Sequence, residues 1–369
     1  MKPLNILHTE ASPGLGGQEK RILLEAAFLR KRGHRVLVVG QPESLIGREA
    51  GQSGVPYRSV RMRTSWDPVA FARLLSLIRE IRPDVIHTHS SKDSWLAGLV
   101  GRLLGVPVVR TRHVSIPVSG HPFNWAYRLP SRIMTTADLT RRMLAEAGLC
   151  EFSKVSVLPT GVDISRFNGE VSGASFRAEF GVPDGIPVVG LVANLRKSKG
   201  VEHFLAAARL VKEEGNATRF FVVGEGHWGE IFQEQAKQLG LADGTVTFTG
   251  YREDIPEVMA ALDLLVIAST RTEGIPQVAL QAMAMGVAIV GTDIGGIPEA
   301  ILPAGAGIVV PPGDPDAMAG AVRELIREPG RFEQMGASGR SFVGEHHTIE
   351  KMLDETEQIY KEVVSECAN

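Results

Sequence analysis

The chain has 369 residues, of which 44% are apolar, 22% charged and 6% aromatic, which fits two α/β domains and excludes bulk disorder. Its net charge of −2 gives no reason to expect a nucleic-acid partner, yet it hides a split: residues 1–167 carry 24 Lys and Arg against 13 Asp and Glu, the remainder 16 against 29. Two isolated cysteines, Cys150 and Cys367, offer neither a disulfide framework nor a Cys-based metal site and suit a reducing cytosol. With no signal-like leader and no run of roughly 20 apolar residues, any membrane contact is expected to be peripheral.

Strand and helix patterns alternate from the start. An apolar run over residues 4–8 ends in the loop Pro13-Gly14-Leu15-Gly16-Gly17, followed by a helical period over 19–32 that Gly33 closes. Arg35–Gly40 is a β-branched run suited to a strand buried on both faces. A helix over 68–81, a strand over 84–88 and a helix over 93–104 follow, with strands over 107–111, 132–135 and 155–158. A second set of strands is read at 187–193, 219–223, 246–248, 264–268, 288–291 and 307–310, with helices between them. Residues 159–187 lack periodicity and read as a connection, and everything after Arg331 reads as helix. The alternation predicts two doubly wound α/β domains with parallel sheets, whose ligands sit beyond the C-terminal strand ends.

Several residues just past strands can carry chemistry. Gly16-Gly17 before a helix lets backbone approach an anion, although a plain strand–helix turn explains the pair equally well. Arg196, Lys197 and Lys199 crowd the start of a helix, where positive charge opposes the dipole. A bound diphosphate would relieve that strain; a solvated basic turn is the plainer account. In the stretch 271–286, Pro276 fits a first-turn position and Glu273 lies just before it, able to meet sugar hydroxyls or to cap the helix. Gln281, eight residues on, falls on the same side as Glu273. His113 ends a strand segment and reads either as a substrate contact or as a structural histidine. His87 and His89 share a strand face, but no carboxylate or third histidine is expected beside them, so the pair reads as packing rather than as a metal site.

In order along nearly the whole chain, these segments resemble the retaining family-4 glycosyltransferases. The resemblance rests on Gly16-Gly17-Gln18-Glu19 with Arg32-Gly33-His34, on Leu158-Pro159-Thr160-Gly161-Val162-Asp163, on Lys199-Gly200, on Gly250-Tyr251-Arg252-Glu253-Asp254, on the Glu273 stretch and on Gly295-Gly296-Ile297-Pro298-Glu299. It implies the GT-B fold: two facing Rossmann-like domains with a cleft between. Residues 1–167 would bind acceptor and 168–348 the donor, with a C-terminal helix over about 349–369 crossing back to the first domain. It further implies that Arg196 and Lys199 neutralise a donor diphosphate and that Glu273 binds the donor sugar, with the backbone of Gly274, Ile275 and Pro276 around it. His113 would contact the donor sugar, Gly16 and Gly17 would approach the phosphates, and Tyr251 and Arg252 would lie beside the base. Glu273, His113, Lys199 and Arg196 form the implied catalytic set.

The sequence departs from the family in two places. Gln281 stands where a second Glu is usual, keeping an acceptor oxygen without the charge, and Asn194 stands where Arg is common, with Arg196 nearby to substitute. The implied activity is retaining, metal-free and cofactor-free transfer from a nucleotide sugar, UDP-linked rather than GDP-linked. The acceptor would be a glycan or lipid-linked molecule in polysaccharide or lipopolysaccharide assembly, read by residues 115–127 and the loop after Arg61. The basic first half suggests peripheral contact with an anionic membrane from the cytoplasmic side. A sugar-nucleotide epimerase and a non-catalytic sugar-nucleotide or glycan-binding module are the alternative readings.

Overall fold

A computed structural model of the chain describes residues 3–113, 118, 124–215 and 217–368. It divides into two compact units, Met1–Thr160 with Glu350–Asn369, and Gly161–Ile349.

Unit 1 runs β1 (Asn5–Glu10), α1 (Gly17–Lys31), β2 (Arg35–Gly40), α2 (Leu45–Gln52), β3 (Tyr57–Ser59), α3 (Pro68–Ile81), β4 (Val85–Thr88), α4 (Ser91–Leu104), β5 (Val108–Arg112), β6 (Arg132–Thr135), α5 (Asp138–Glu146) and β7 (Val155–Val157). The strands form one parallel sheet in the order β3-β2-β1-β4-β5-β6-β7. Every residue of β4 is buried, as a strand covered on both faces requires. Asp67 starts α3 by accepting from the N–H groups of Val69 and Ala70, with Pro68 pre-set for the first turn.

Unit 2 runs α6 (Ala174–Glu179), β8 (Val188–Val192), α7 (Val201–Glu213), β9 (Arg219–Val223), α8 (Gly229–Gln238), β10 (Val246–Gly250), α9 (Ile255–Ala261), β11 (Leu264–Ile267), α10 (Gln277–Met285), β12 (Ala288–Thr292), α11 (Ile297–Ala304), β13 (Gly307–Val310), α12 (Pro315–Arg327) and α13 (Pro329–His346). Its sheet is also parallel, in the order β10-β9-β8-β11-β12-β13. The last helix, α14 (Ile349–Ala368), belongs to unit 1 from Glu350 onward. Its Asp354 and Glu357 pair with Arg32, and its Glu366 with Arg132. Among the described residues no helix is long and apolar enough to cross a membrane.

Several elements escape the sequence pattern, among them β3, α2, α5, α6 and α12. β3 has only three residues, too few to show a period, and α2 carries Gly47 and Gly51, which lower helix propensity. The aperiodic connection contains the six-residue α6, whose one buried side chain is Phe176. The units part at Thr160–Gly161, ahead of Asn168, because Val162 already pairs with the backbone of His347 and Ile349 inside unit 2.

Candidate active site

Both sheets reverse direction of winding beside their first strand, at β1/β4 and β8/β11, which is where loops diverge and leave room for a ligand. In unit 2 the loops after β8 and β11 are fastened together there. The N–H of Thr270 donates to Ser198 O at 3.0 Å. Gly200 has φ +64°, and a Cβ on it would lie 1.9 Å from the Ala268 carbonyl oxygen. Gly295 is held as closely, with φ +59° and a Cβ position 2.0 Å from Glu273 O. Only glycine fits at either point.

This packing aligns Lys199 with Glu273. Lys199 Nζ donates to Glu273 Oε1, which also accepts from Ser269 Oγ at 2.8 Å. Thr292 Oγ1 in turn fixes the Ser269 carbonyl at 2.6 Å. The lysine and carboxylate side chains are 28% and 15% exposed, so the pair is partly desolvated yet open to a ligand. α10 begins behind it. Pro276 is its N-cap rather than its first-turn residue, because ψ of 130° is extended. The first N–H groups of α10 have no intrahelical acceptor and can meet an anion.

The neighbouring predicted residues divide. Asn194 and Arg196 are exposed, and Gly274, Ile275 and Gln281 half-buried. The cations of Arg196, Lys197 and Lys199 sit on a 3₁₀ turn over Lys197–Lys199 that precedes α7, rather than in its first turn. Tyr251 is 60% exposed, as a residue that stacks on a ligand would be. Arg252 is committed elsewhere: Asp254 and Glu179 hold its guanidinium and raise its pKa, and it lies 5.3 Å from the Phe176 ring centroid. Ser269 was not legible in the sequence as a site residue, since one hydroxyl after a strand carries no pattern.

In unit 1, Gly16 is the N-cap of α1, and its N–H donates to Glu19 Oε2 at 2.6 Å. Beside this loop lies a line of histidines. His8 Nδ1 meets His89 Nε2 at 3.0 Å, and His89 Nδ1 meets His113 Nε2 at 3.2 Å. His87 bonds Tyr360 of α14 and Thr111, each at 2.6 Å. The expectation that His87 and His89 lack a third histidine is corrected here: parallel β1–β4 register sets His8 directly beside His87, and Glu25 Oε2 lies 4.0 Å from His87 Nδ1. A strand order placing β1 next to β4 was the signal that could have found it.

Ring nitrogens of His8, His87 and His89 fall within 4.8 Å of one another, a spacing open to a metal ion. All four nitrogens of His87 and His89 are nonetheless occupied by hydrogen bonds, and His8 Nε2 is the one ring nitrogen of the three without a partner among the described residues. These residues fit a hydrogen-bonded chain better than a coordination site. Burial pushes His8 down to about 3 and holds His87, His89 and His113 well below the usual histidine range, so all four are neutral at pH 7. An unpartnered acceptor is cheaper to bury than an unpartnered N–H. The chain therefore runs His8 Nδ1–H to His89 to His113, which leaves the His113 ring proton on Nδ1. At the foot of the same loop Glu10 accepts from the Ser12 N–H at 2.7 Å, and burial together with Asp93 raises it to about 8. Of the stretch 115–127, residues 115–117 and 119–123 lie outside the described residues.

Comparison with known proteins agrees with this architecture. The chain matches the sequence model of Glycosyltransferase Family 4 over residues 15–166 and that of Glycosyl transferases group 1 over residues 186–328. It is 29% identical to the 2-deoxystreptamine N-acetyl-D-glucosaminyltransferase of Streptomyces fradiae, over 92% of this chain and 90% of that protein. It is 30% identical to the GDP-mannose-dependent alpha-(1-6)-phosphatidylinositol monomannoside mannosyltransferase of Mycolicibacterium smegmatis, over 79% and 80%. Among solved structures, Anabaena HepE in complex with UDP superposes with a TM-score of 0.86 at 21% identity, covering 97% of this chain and 100% of that one.

Proposed function

The chain belongs to the family-4 glycosyltransferases of GT-B fold, and from that premise we propose that it transfers a sugar from a nucleoside-diphosphate sugar, with retention at the anomeric carbon, to a glycan or lipid-linked acceptor. The observation that carries this reading is the Lys199–Glu273–Ser269 cluster on the strand-end loops of unit 2. Donor binding would exchange the internal pair for two new contacts: Lys199 to the diphosphate and Glu273 to sugar hydroxyls. Arg196 and the start of α10 add positive potential where charge grows on the departing phosphate oxygen. That supply of fixed positive charge is the reason to expect turnover without a metal or another cofactor.

Glu273 is held by a lysine and a serine, which suits a hydroxyl acceptor more than a nucleophile. We therefore read the step as front-face substitution: the bond from the anomeric carbon to the leaving oxygen breaks, the acceptor oxygen bonds to the same face, and the acceptor proton passes to the leaving phosphate. His113 Nδ1–H would steady a donor-sugar hydroxyl. UDP is the preferred nucleotide in this proposal, in line with the UDP carried by the HepE structure. The assignments to polysaccharide or lipopolysaccharide assembly and to the cytoplasmic face of an anionic membrane rest on the basic character of unit 1, which has 25 Lys and Arg against 18 Asp and Glu.

A thermal-shift panel of nucleotide sugars tests the donor. A ligand at about 100 times its Kd stabilises by about 2.7 kcal/mol, and UDP-sugars are expected to shift the transition of unit 2 more than GDP-sugars. EDTA should leave transfer intact, and activity restored only by Mn²⁺ would remove the metal-free reading. The anomeric configuration of the product, read by NMR, decides retention.

A further inference from the structure

Two adjoining concavities open at the strand ends of unit 1, of about 390 and 190 Å³. They share Arg61 and Arg63; Lys92 lines the first and Arg73 the second. The larger has the size of a small-molecule site. Its position follows from topology, since Ala11 and Pro13 follow β1, Gln41 to Glu43 follow β2, and Arg61 to Arg63 follow β3.

Four cations gathered around two adjoining hollows repel each other unless something answers them. Elsewhere in unit 1 many cations have been answered from within the chain: Arg21 by Glu25, Arg32 by Asp354 and Glu357, Arg58 by Glu80, and Arg132 by Glu366. Among the described residues, Arg61, Arg63, Arg73 and Lys92 form no salt bridge within 4.0 Å. Of the two acids on the walls, Asp67 is taken up by the N-cap of α3 and by the Arg63 N–H at 3.1 Å, and it faces the Arg63 charge without a salt bridge. Lys92 also occupies the first turn of α4, where a cation opposes the helix dipole.

The hollow is built rather than incidental. The Gln41 side chain clips its walls together: Nε2 donates to Met62 O at 2.7 Å and Ala11 O at 3.3 Å, and Oε1 accepts from the Met62 N–H at 3.1 Å. Glu43, the other acid on the wall, is held at φ +59°, a left-handed conformation that costs a non-glycine residue of order 1 kcal/mol or more. An acidic side chain on the rim of a basic hollow suits a ligand that carries hydroxyls beside its negative charge.

We propose that this hollow is the acceptor site and that the acceptor is a hydroxylated ring bearing a phosphate monoester or diester. The phosphate is held by Arg61, Arg63, Arg73 and Lys92, and a hydroxyl by Glu43. This rests on the glycosyltransferase reading and adds the acceptor's chemical class to it. It also separates this chain from relatives that glycosylate an aminocyclitol, because a cationic acceptor would be repelled.

The test uses the full chain and reads binding, independent of turnover. Trp66, 69% exposed and 4.6 Å from Trp95 between ring centroids, lies on the loop joining Arg63 to α3 and reports occupancy by fluorescence. Inositol 1-phosphate is expected to bind, with inositol and 2-deoxystreptamine weaker by at least about tenfold. Arg61→Gln with Arg63→Gln should weaken the phosphate by about tenfold or more and flatten its salt dependence, while the UDP thermal shift stays unchanged. If that double variant fails to fold, the exposed Arg73→Gln and Lys92→Gln are read the same way. Equal affinity for inositol and its phosphate, or variants that bind the phosphate as wild type does, would overturn the proposal. Sedimentation with phosphatidylcholine vesicles, with and without phosphatidylinositol, separates a lipid headgroup from a soluble phosphate ester as the source. A chain that binds the phosphate but no nucleotide sugar would sink the transferase reading and leave this site standing.

Discussion

The two units repeat one element order yet bury opposite chemistry. Among the described residues, unit 1 buries eleven Asp, Glu, Arg and His side chains, including Glu10, Arg21, Glu25, Asp93 and Arg110. Among the described residues, unit 2 buries no Asp, Glu, Lys, Arg or His side chain, only the hydroxyls of Thr218, Ser269, Thr292 and Thr348. Its charges, Lys199 and Glu273 among them, stay at least partly exposed. The difference teaches where each unit is vulnerable. Unit 1 is stable only while its buried polar groups keep their partners. Unit 2 can lose a charged side chain and keep its core.

The most damaging change to this balance is expected in unit 1. Arg21 and Glu25 pair at 2.7 Å with side chains 1% and 0% exposed, and Arg21 Nη1 also donates to Leu158 O at 2.9 Å. Glu25→Ala strands the guanidinium and should cost about 3–5 kcal/mol. Urea melts would show it as early unfolding of unit 1 alone, and an unchanged midpoint would break the comparison. In unit 2, Lys199→Ala and Glu273→Ala should each lower transfer by about 10²–10³-fold with little change in melting temperature. Near-normal turnover of either variant removes the site assignment.

Acid sensitivity sharpens the contrast further. His8, His87, His89 and His113 are neutral in the fold and have pKa values below their unfolded values, so the unfolded chain binds more protons as pH falls below about 6.5. Each should cost unit 1 about 1.4 kcal/mol per pH unit below that point. Glu10 acts in the opposite sense: raised to about 8, it is protonated in the fold, and its contribution is lost as pH rises from about 4.5 to 8. Burial raises Asp93 as well, in the same sense as Glu10, and two carboxyls against four histidines still leave net destabilisation on acidification. The stability of unit 1, followed by urea titration from pH 7 to pH 5, should fall, and His8→Gln should reduce the slope by about one proton. A flat profile would mean that the cluster takes up protons without opening.

The smallest effect belongs to a helix end in unit 2. Asp314 caps α12 by accepting from the Ala317 N–H at 2.9 Å, and Asp314→Ala should cost about 1 kcal/mol, read as a lower urea midpoint for unit 2.

Charge shows how far a linear tally reaches. The first 167 residues look strongly basic. In the fold, α14 returns six acids and two lysines to that unit, and Asp354, Glu357 and Glu366 neutralise Arg32 and Arg132. The excess that matters is therefore local, in the hollow that α14 leaves unanswered.

The strands and helices were set by short-range patterns. β-branched runs such as Arg35–Gly40 and Gly307–Val310 and the Asp67-Pro68 start of α3 declare themselves because burial on both faces and capping are local requirements. The strand-end loops carrying Lys199, Glu273 and His113 were legible for the same reason. Tertiary structure alone decided which of these meet. His8 is 79 residues from His87, Tyr360 lies 273 beyond it, and Thr292 at the end of β12 braces, through Ser269, the loop that carries Glu273. Partnership across such distances depends on sheet order and register, which periodicity does not encode. A cation's fate, paired or left for a ligand, depends on what the fold brings opposite it.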